Sequence, residues 1–390
     1  MRREPIYLDH AATTPVEAEV LAAMLPCFGT LFGNPSAVHR WGQAAEALVE
    51  RARAAVAALL GARPGEVIFT SGGSESDNLA LRGAALAARE RRGADHLLTT
   101  AVEHPAVLRT ARDLAERHGF RLELLPVDAH GRVDPEALAA RLRPETALVS
   151  IIYANNEIGT LNPIRELAAV CRARDVAFHT DAVQAASLLE VDVESLGVDL
   201  LSLGAHKFYG PKGAGVLYRR DGVPLAPLQT GGSQEGGLRA GTHSVPLIVG
   251  LAKALRLAAA RRPADGPRLQ AWRQTLVEGV AAQIPEARLT GHPGDRLPNH
   301  ASFVFRGLDG NALLAALDLA GFACSSGSAC KTGSPEPSEV LLALGITRAW
   351  ALGSLRVTFG RLNQEGDAQA LLAALAGCVA RLRARQAAQA

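Results

Sequence analysis

Apolar runs alternate with amphipathic segments through the first part of the chain, and this alternation restricts the fold more than any other feature. Strand candidates are EVIFT (66–70), HLLTT (96–100), RLELLPV (121–127), TALVSIIYA (146–154), VAFHTDA (176–182), VDLLSLGA (198–205) and GAGVLYRR (213–220). Between or before them lie Ala/Leu/Arg-rich helix candidates at 41–60, 76–92, 105–118, 134–142 and 163–174. Strands separated by helices predict an α/β fold, a mostly parallel seven-stranded sheet covered on both faces. Ligands of such sheets bind at the carboxyl ends of the strands.

A second, smaller α+β unit is expected after this. Helices near 244–261 and 267–283 lead to a strand at 300–307, a helix at 310–320, a helix at 337–344, a strand at 354–360 and a terminal helix at 364–385. RRPADGPR (261–268) is the boundary candidate, read as a Pro/Gly break between two helices. The chain of 390 residues is long enough for both units.

Charge excludes some functions. A net charge of +2, from 41 basic and 39 acidic residues, lacks the basic excess of a nucleic-acid binder. No run of about 18 uncharged apolar residues suggests a membrane span. The opening MRREPIYLDHAATTP has no apolar core of a signal peptide, so a cytoplasmic location with reduced thiols is expected. The five cysteines, at irregular spacing, match neither a metal site nor an iron–sulfur motif. Cys27, Cys171 and Cys378 fall in apolar helical patterns and read as fillers. Cys324 and Cys330 do not, because they flank a Ser/Gly-rich stretch, CSSGSAC, with almost nothing apolar to bury.

Three strand ends carry candidate chemistry. FTSGGSESDNLAL (69–81) reads as strand, turn and helix start, where N–H groups at Gly73 and Ser74 would hold an anion. It also reads as a plain cap by Ser74 or Ser76. Asp181 closes the strand in FHTDAVQ, and Lys207 stands in SLGAHKFYGPKGAG beside His206 and Lys212. A lysine crowded by other cations and partly desolvated is expected to have a depressed pKa, as a Schiff-base amine needs. Each feature has a plainer reading alone. Together they are what pyridoxal phosphate requires, with a phosphate cradle, an acid for the ring nitrogen and an amine for the aldehyde. His104, just after a strand in VEHPAV, is placed to stack on the ring or move protons.

With these motifs in hand, the chain resembles the cysteine desulfurases of the NifS/IscS-like group, a branch of the fold-type I pyridoxal-phosphate enzymes within the class V aminotransferase superfamily. The resemblance runs through YLDHAATTP (7–15), FGNPSAVH (32–39), NNEIG (155–159), HKFYGPKG (206–213), GGSQEGGLRAGT (231–242), SSGSAC (325–330) and LRVTFGR (355–361), in the family's order. It implies conversion of L-cysteine to L-alanine, with pyridoxal 5′-phosphate held as a Schiff base on Lys207. Asp181 would pair with the pyridine nitrogen, Gln184 with the ring hydroxyl, and His104 would stack on the ring. Gly73, Ser74 and His206 would contact the phosphate, with Thr242 reaching it from the second subunit of a homodimer. Asn156 would face both cofactor and substrate. Asn34, Asn156 and Arg356 would hold the substrate carboxylate, the arginine through two parallel hydrogen bonds.

Cys330 would be the nucleophile that takes sulfur as a persulfide. It would then hand the sulfur to acceptor proteins such as iron–sulfur scaffolds or tRNA-thiolation proteins. The resemblance also implies a large cofactor domain at 15–262 and a small domain at 263–390 that includes residues 1–14 and a catalytic loop at about 324–337. SSGSACKTGSPEPS is the long-loop version of that element. Cys324 reads as a buried small residue or as a resolving thiol. Selenocysteine lyase and class V aminotransferase are the alternatives, and no metal, nucleic acid or membrane is expected. One departure stands out: the family usually has Ser-Gly-His-Lys before the lysine, where this chain has Gly204-Ala205-His206-Lys207. Weaker cofactor retention is expected, partly offset if Ser202 supplies the missing hydroxyl.

Overall fold

A computed structural model describes residues 5–326 and 336–388. Its main sheet has seven strands in the order Val67–Thr70, Gly215–Arg219, Leu200–Gly204, Ala177–Asp181, Thr146–Ser150, His96–Thr100 and Arg121–Leu125. All adjacent pairs are parallel except those made by Gly215–Arg219, which runs antiparallel to both neighbours. That strand follows its partner Leu200–Gly204 through a short connection around Lys207, too short for the crossover a parallel pair needs.

The central strands are buried on both faces, which explains their continuous apolar runs. Helices Gly73–Arg92 and Pro105–His118 cover one face, with Leu79, Ala84 and Val107 in the same core as Leu97 and Leu148. Helices Arg40–Leu60 and Ile164–Arg172 contribute Val49, Val56 and Leu167 to the core on the opposite side, around Phe178 and Leu201. Cys27 and Cys171 belong to that core, and burial raises both thiols.

The expected break at 261–268 is absent. One helix, Val245–Gln283, runs straight through Pro263 and Pro267. An interior proline costs about 3 kcal/mol. Packing on both sides opposes this cost, because Leu251, Leu255 and Ala258 join the large core while Leu269, Leu276 and Val280 join a second one. Asp265, between the prolines, accepts from Arg361 Nε at 2.9 Å and from Arg268 Nη2 at 2.8 Å. The two cores are thus bridged by a continuous helix.

The second core packs helices Gly310–Leu319 and Asp367–Ala387 on a three-stranded antiparallel sheet with Ser354–Thr358 and Ala287–Leu289 flanking His300–Phe305. Cys378 is buried here. The chain's first strand, Ile6–Tyr7, pairs in parallel with Phe322–Ala323, and Leu8 sits in the same core. The segment Asp9–Thr14 then crosses to the strand ends of the large sheet.

A buried ion cluster ties the glycine-rich segment 231–242 to the large sheet. Glu235, in the left-handed region at φ 50°, accepts from Arg53 Nη1 and Nη2, both at 2.8 Å. It also accepts from the Phe69 N–H at 3.0 Å and faces His243 Nε2 at 2.6 Å. Burial pushes its carboxyl up, but Arg53 and His243 outweigh this and hold it at about 2 instead of the ordinary 4.5. A depressed carboxyl stabilises the fold above its ordinary value, and this contribution is lost as pH falls from about 4.5 to about 2. Glu235→Gln is expected to cost about 3 kcal/mol at neutral pH, because Arg53 loses its buried counter-charge and keeps only the exposed Glu50. In urea unfolding the gap between wild type and variant is expected to narrow at about pH 3; an equal gap at both pH values would show that the charge is not the cause.

Candidate active site

The site assembles where the large sheet's strand ends meet the crossing segment Asp9–Thr14. Asp181 is the last residue of its strand and is buried, and its Oδ1 accepts from the Val183 N–H at 2.9 Å. His104 caps helix Pro105–His118, with Nδ1 accepting from the Ala106 N–H at 3.1 Å. Lys207 lies in the short 3-10 turn Ala205–Lys207 that follows the strand Leu200–Gly204. Its Nζ donates to Ala11 O at 2.6 Å and Ala12 O at 2.8 Å. Gln184 Nε2 donates to the same Ala11 carbonyl at 2.9 Å. The structure therefore brings Lys207, Asp181, His104 and Gln184 together around HAAT.

The electrostatics are those of a water-poor pocket. Burial raises the Asp181 carboxyl, and His104 and Lys207 pull it back down. Burial lowers His104. His206 is held at about 4, first by burial and then by Lys207 and Lys212, and its Nδ1 lies 3.1 Å from Thr13 Oγ1. It is a neutral imidazole at physiological pH.

Behind Asp181 sits a layer that sequence reasoning missed. Asp77 is buried, with Oδ1 lacking a hydrogen-bond partner among the described residues and 3.7 Å from His179 Nε2. Burial, then the charge of Asp181, raises Asp77 well above the usual carboxylate range. Ligand atoms of Asp77, His104 and Asp181 lie within 4.8 Å of one another. His179 bridges Ser150 Oγ at 2.8 Å and Ser202 Oγ at 3.0 Å, and burial holds it at about 3. Ser202 is therefore engaged inside the sheet, and this corrects the expectation that it substitutes for a hydroxyl at 204. Glu103 accepts from Thr100 Oγ1 and the Ile152 N–H, and burial raises it to about 8. Glu103 thus favours its protonated form at neutral pH, and burial and the charge of Asp181 push Asp77 in the same direction. Polar residues inside strands and helices look like caps or solvated faces in a sequence, and only the three-dimensional layer shows them stacked.

The anion cradle lies opposite. Helix Gly73–Arg92 starts with Gly72 as its N-cap, and the Gly73 and Ser74 N–H groups have no acceptor among the described residues. A Cβ on Gly73 would come within 2.6 Å of Val183 Cγ2, so the close approach of helix and strand end requires glycine. A Cβ on Gly204 would stand 3.3 Å from Gly73 N. A serine there would place its hydroxyl at the cradle if neighbours yield by a few tenths of an ångström. Gly204→Ser is expected to hold a phosphate-bearing cofactor about threefold tighter. Unchanged cofactor affinity would show that the absent hydroxyl does not matter.

Arg356 comes from the second unit and is buried. Its Nη1 donates to Asn156 O at 2.9 Å and its Nη2 to Asp9 Oδ1 at 2.8 Å, while Nε has no partner among the described residues. Asn156 and Arg356 are thus neighbours. Glu157 accepts from Ser338 Oγ, and burial raises it to about 7. Asn34 and Thr242 are exposed, and neither makes a hydrogen bond to the other described site residues in a single chain. Cys324 is half-buried beside Asp9, and desolvation pushes its thiol up, which disfavours an exchanging thiolate. Cys330 lies outside the described residues.

These residues fit pyridoxal phosphate. The N–H groups of Gly73 and Ser74 at the helix start, the buried acid with a nearby imidazole, and the Lys207 amine match its phosphate, ring and aldehyde.

Comparison with known proteins agrees. The model of the family described as aminotransferase class-V matches residues 6–371. The chain is 45% identical to the cysteine desulfurase IscS of Dictyoglomus turgidum over 383 residues, covering 98% of this chain and 96% of that protein. It is also 45% identical to the cysteine desulfurase IscS of Methanosarcina thermophila over 378 residues, 97% and 93% of the two. Among solved structures, a NifS-like protein superposes with a TM-score of 0.90 at 35% identity, covering 97% of this chain and all (100%) of that one. SspA in complex with cysteine gives a TM-score of 0.78 at 37% identity, covering 91% and 98%.

Proposed function

We propose a mechanism from the premise that this chain belongs to the aminotransferase class-V family and is a pyridoxal-phosphate-dependent cysteine desulfurase. The observation that carries the residue assignment is the meeting of Lys207, Asp181 and His104 at strand ends beside the helix start at Gly73 and Ser74. When bound, pyridoxal phosphate supplies an electron sink that labilises bonds at the substrate Cα and lets Sγ be attacked. Lys207 Nζ would hold the cofactor aldehyde, and the same amine would move the substrate Cα proton. Asp181 would set its negative charge against the ring nitrogen, in a buried place where the Val183 N–H and nearby cationic groups oppose the cost of desolvating that charge. His104 would stack on the ring, and Gln184 would meet its hydroxyl. Gly73, Ser74 and the neutral His206 hold the phosphate. Arg356, fixed by Asp9 and the Asn156 carbonyl, binds the substrate carboxylate, with Asn34 and Asn156 beside it.

The Cys330 thiolate takes the substrate sulfur, so that L-cysteine and the Cys330 thiol become L-alanine and a persulfide. The sulfur passes to acceptors of the iron–sulfur scaffold or tRNA-thiolation type. A homodimer completes the site, with Thr242 reaching the partner's phosphate. In favour of this, Thr242 and Asn34 are exposed in the single chain, and Asn34 lies in a segment that also exposes Phe28, Phe32, Val38 and Trp41. We read residues 15–262 as the large domain and 263–390 with 1–14 as the small one, and the enzyme as cytoplasmic. No described helix is long and apolar enough to cross a membrane.

Borohydride reduction of the holoenzyme followed by peptide mapping tests the cofactor assignment. The reduced pyridoxyl group is expected on Lys207; finding it on Lys212, or on no lysine, would overturn that assignment.

A further inference from the structure

The cradle helix carries a negative charge in its own first turn. Glu75 is the third residue of helix Gly73–Arg92, and its Oε2 accepts from the Ser71 N–H at 2.7 Å. This closes the turn before Gly73 and puts a carboxylate within one turn of the N–H groups that face the phosphate. Such a carboxylate favours the helix start but competes with any anionic ligand for the same positive end. Burial raises Glu75, yet its bonds from Arg239 and Ser71 outweigh this and keep it below the usual range, so it is ionised.

Arg239, from the glycine-rich segment 231–242, meets it with Nε at 2.7 Å from Oε1 and Nη2 at 3.3 Å from Oε2. The two side chains are mostly buried, 22% and 18% exposed, so solvent screens the carboxylate only partly.

We propose that Glu75 and Arg239 are a positioning pair for the phosphate site, in which Glu75 shapes the turn and Arg239 cancels its charge so that the cradle accepts a dianion. The inference rests on the reading that Gly73 and Ser74 hold the cofactor phosphate. It differs from a purely mechanical tie in the sign of its mutant effects. A mechanical tie is broken equally by loss of either partner, and the double variant is no better. A charge-cancelling pair predicts that only Arg239→Gln harms binding, because it leaves the Glu75 carboxylate uncompensated.

The test is equilibrium dialysis of the full-length holoenzyme and its variants against graded pyridoxal phosphate, with retained cofactor read by absorbance. Arg239→Gln is expected to bind roughly tenfold more weakly, a defect that shrinks as salt is raised. Glu75→Gln is expected to bind no more weakly than wild type, and Glu75→Gln/Arg239→Gln to recover to within about twofold of it. Pyridoxal, which lacks the phosphate, is expected to bind wild type and Arg239→Gln alike. An unaffected Arg239→Gln, a double variant as weak as Arg239→Gln, or an equal loss for pyridoxal overturns the proposal. Failure of the wild type to retain pyridoxal phosphate would remove the underlying reading as well, and is distinguishable because no variant is needed to see it.

Discussion

Lys207→Ala is expected to abolish cysteine turnover, by about a thousandfold or more. Two roles end with one side chain. The amine that carries the aldehyde is gone, and so is the base that moves the Cα proton. Fold stability is expected to change little. Lys207 Nζ bonds to two backbone carbonyls, Ala11 and Ala12, and the first also accepts from Gln184. The purified variant is expected to lack the imine absorbance and to regain no activity with added pyridoxal phosphate. Turnover within tenfold of wild type would mean that the base is another group, with His104 as the nearest candidate.

Asp181→Asn is expected to lower turnover by about a thousandfold while the protein stays folded. The substitution is nearly isosteric, and the amide oxygen still accepts from the Val183 N–H. Only the charge is removed. Nothing behind it supplies a replacement. Asp77 and Glu103, the buried carboxyls nearby, are both pushed up by burial, which opposes either one taking over the charge. Cofactor affinity is expected to fall less than the rate, because the Gly73–Ser74 cradle and Lys207 are untouched. Equal losses in affinity and in rate would instead indicate that Asp181 merely shapes the pocket.

The residues that chemistry demands at strand ends were legible in the sequence. Asp181, Lys207 and the Gly73 turn each follow an apolar run, and a parallel sheet brings successive strand ends to one edge. What escaped was whatever depends on backbone groups or on distant packing. The carbonyls of Ala11 and Ala12 carry no signature in HAAT, yet they hold Lys207. The layer of Asp77, His179 and Ser202 has no periodicity of its own. Alternation along an ideal strand puts Ser202 on the same side as position 204, but His179 claims its hydroxyl inside the sheet. RRPADGPR read as a break because proline disfavours helix locally. Two cores gripping the ends of one long helix, with Arg361 and Arg268 on Asp265, outweigh that local preference. The antiparallel strand Gly215–Arg219 was found as a strand, but its direction follows from the length of the turn after Lys207.

Cys330 connects the chemistry to sulfur transfer, and the most direct measurement concerns it. Purified wild type and Cys330→Ala are incubated with L-cysteine and a thiol reductant, and alanine and sulfide are quantified. Wild type is expected to form the two in equal amounts, and Cys330→Ala to form neither. Alanine formation that survives in Cys330→Ala would contradict a persulfide on that residue and would point to direct cleavage of the substrate C–S bond by a lyase.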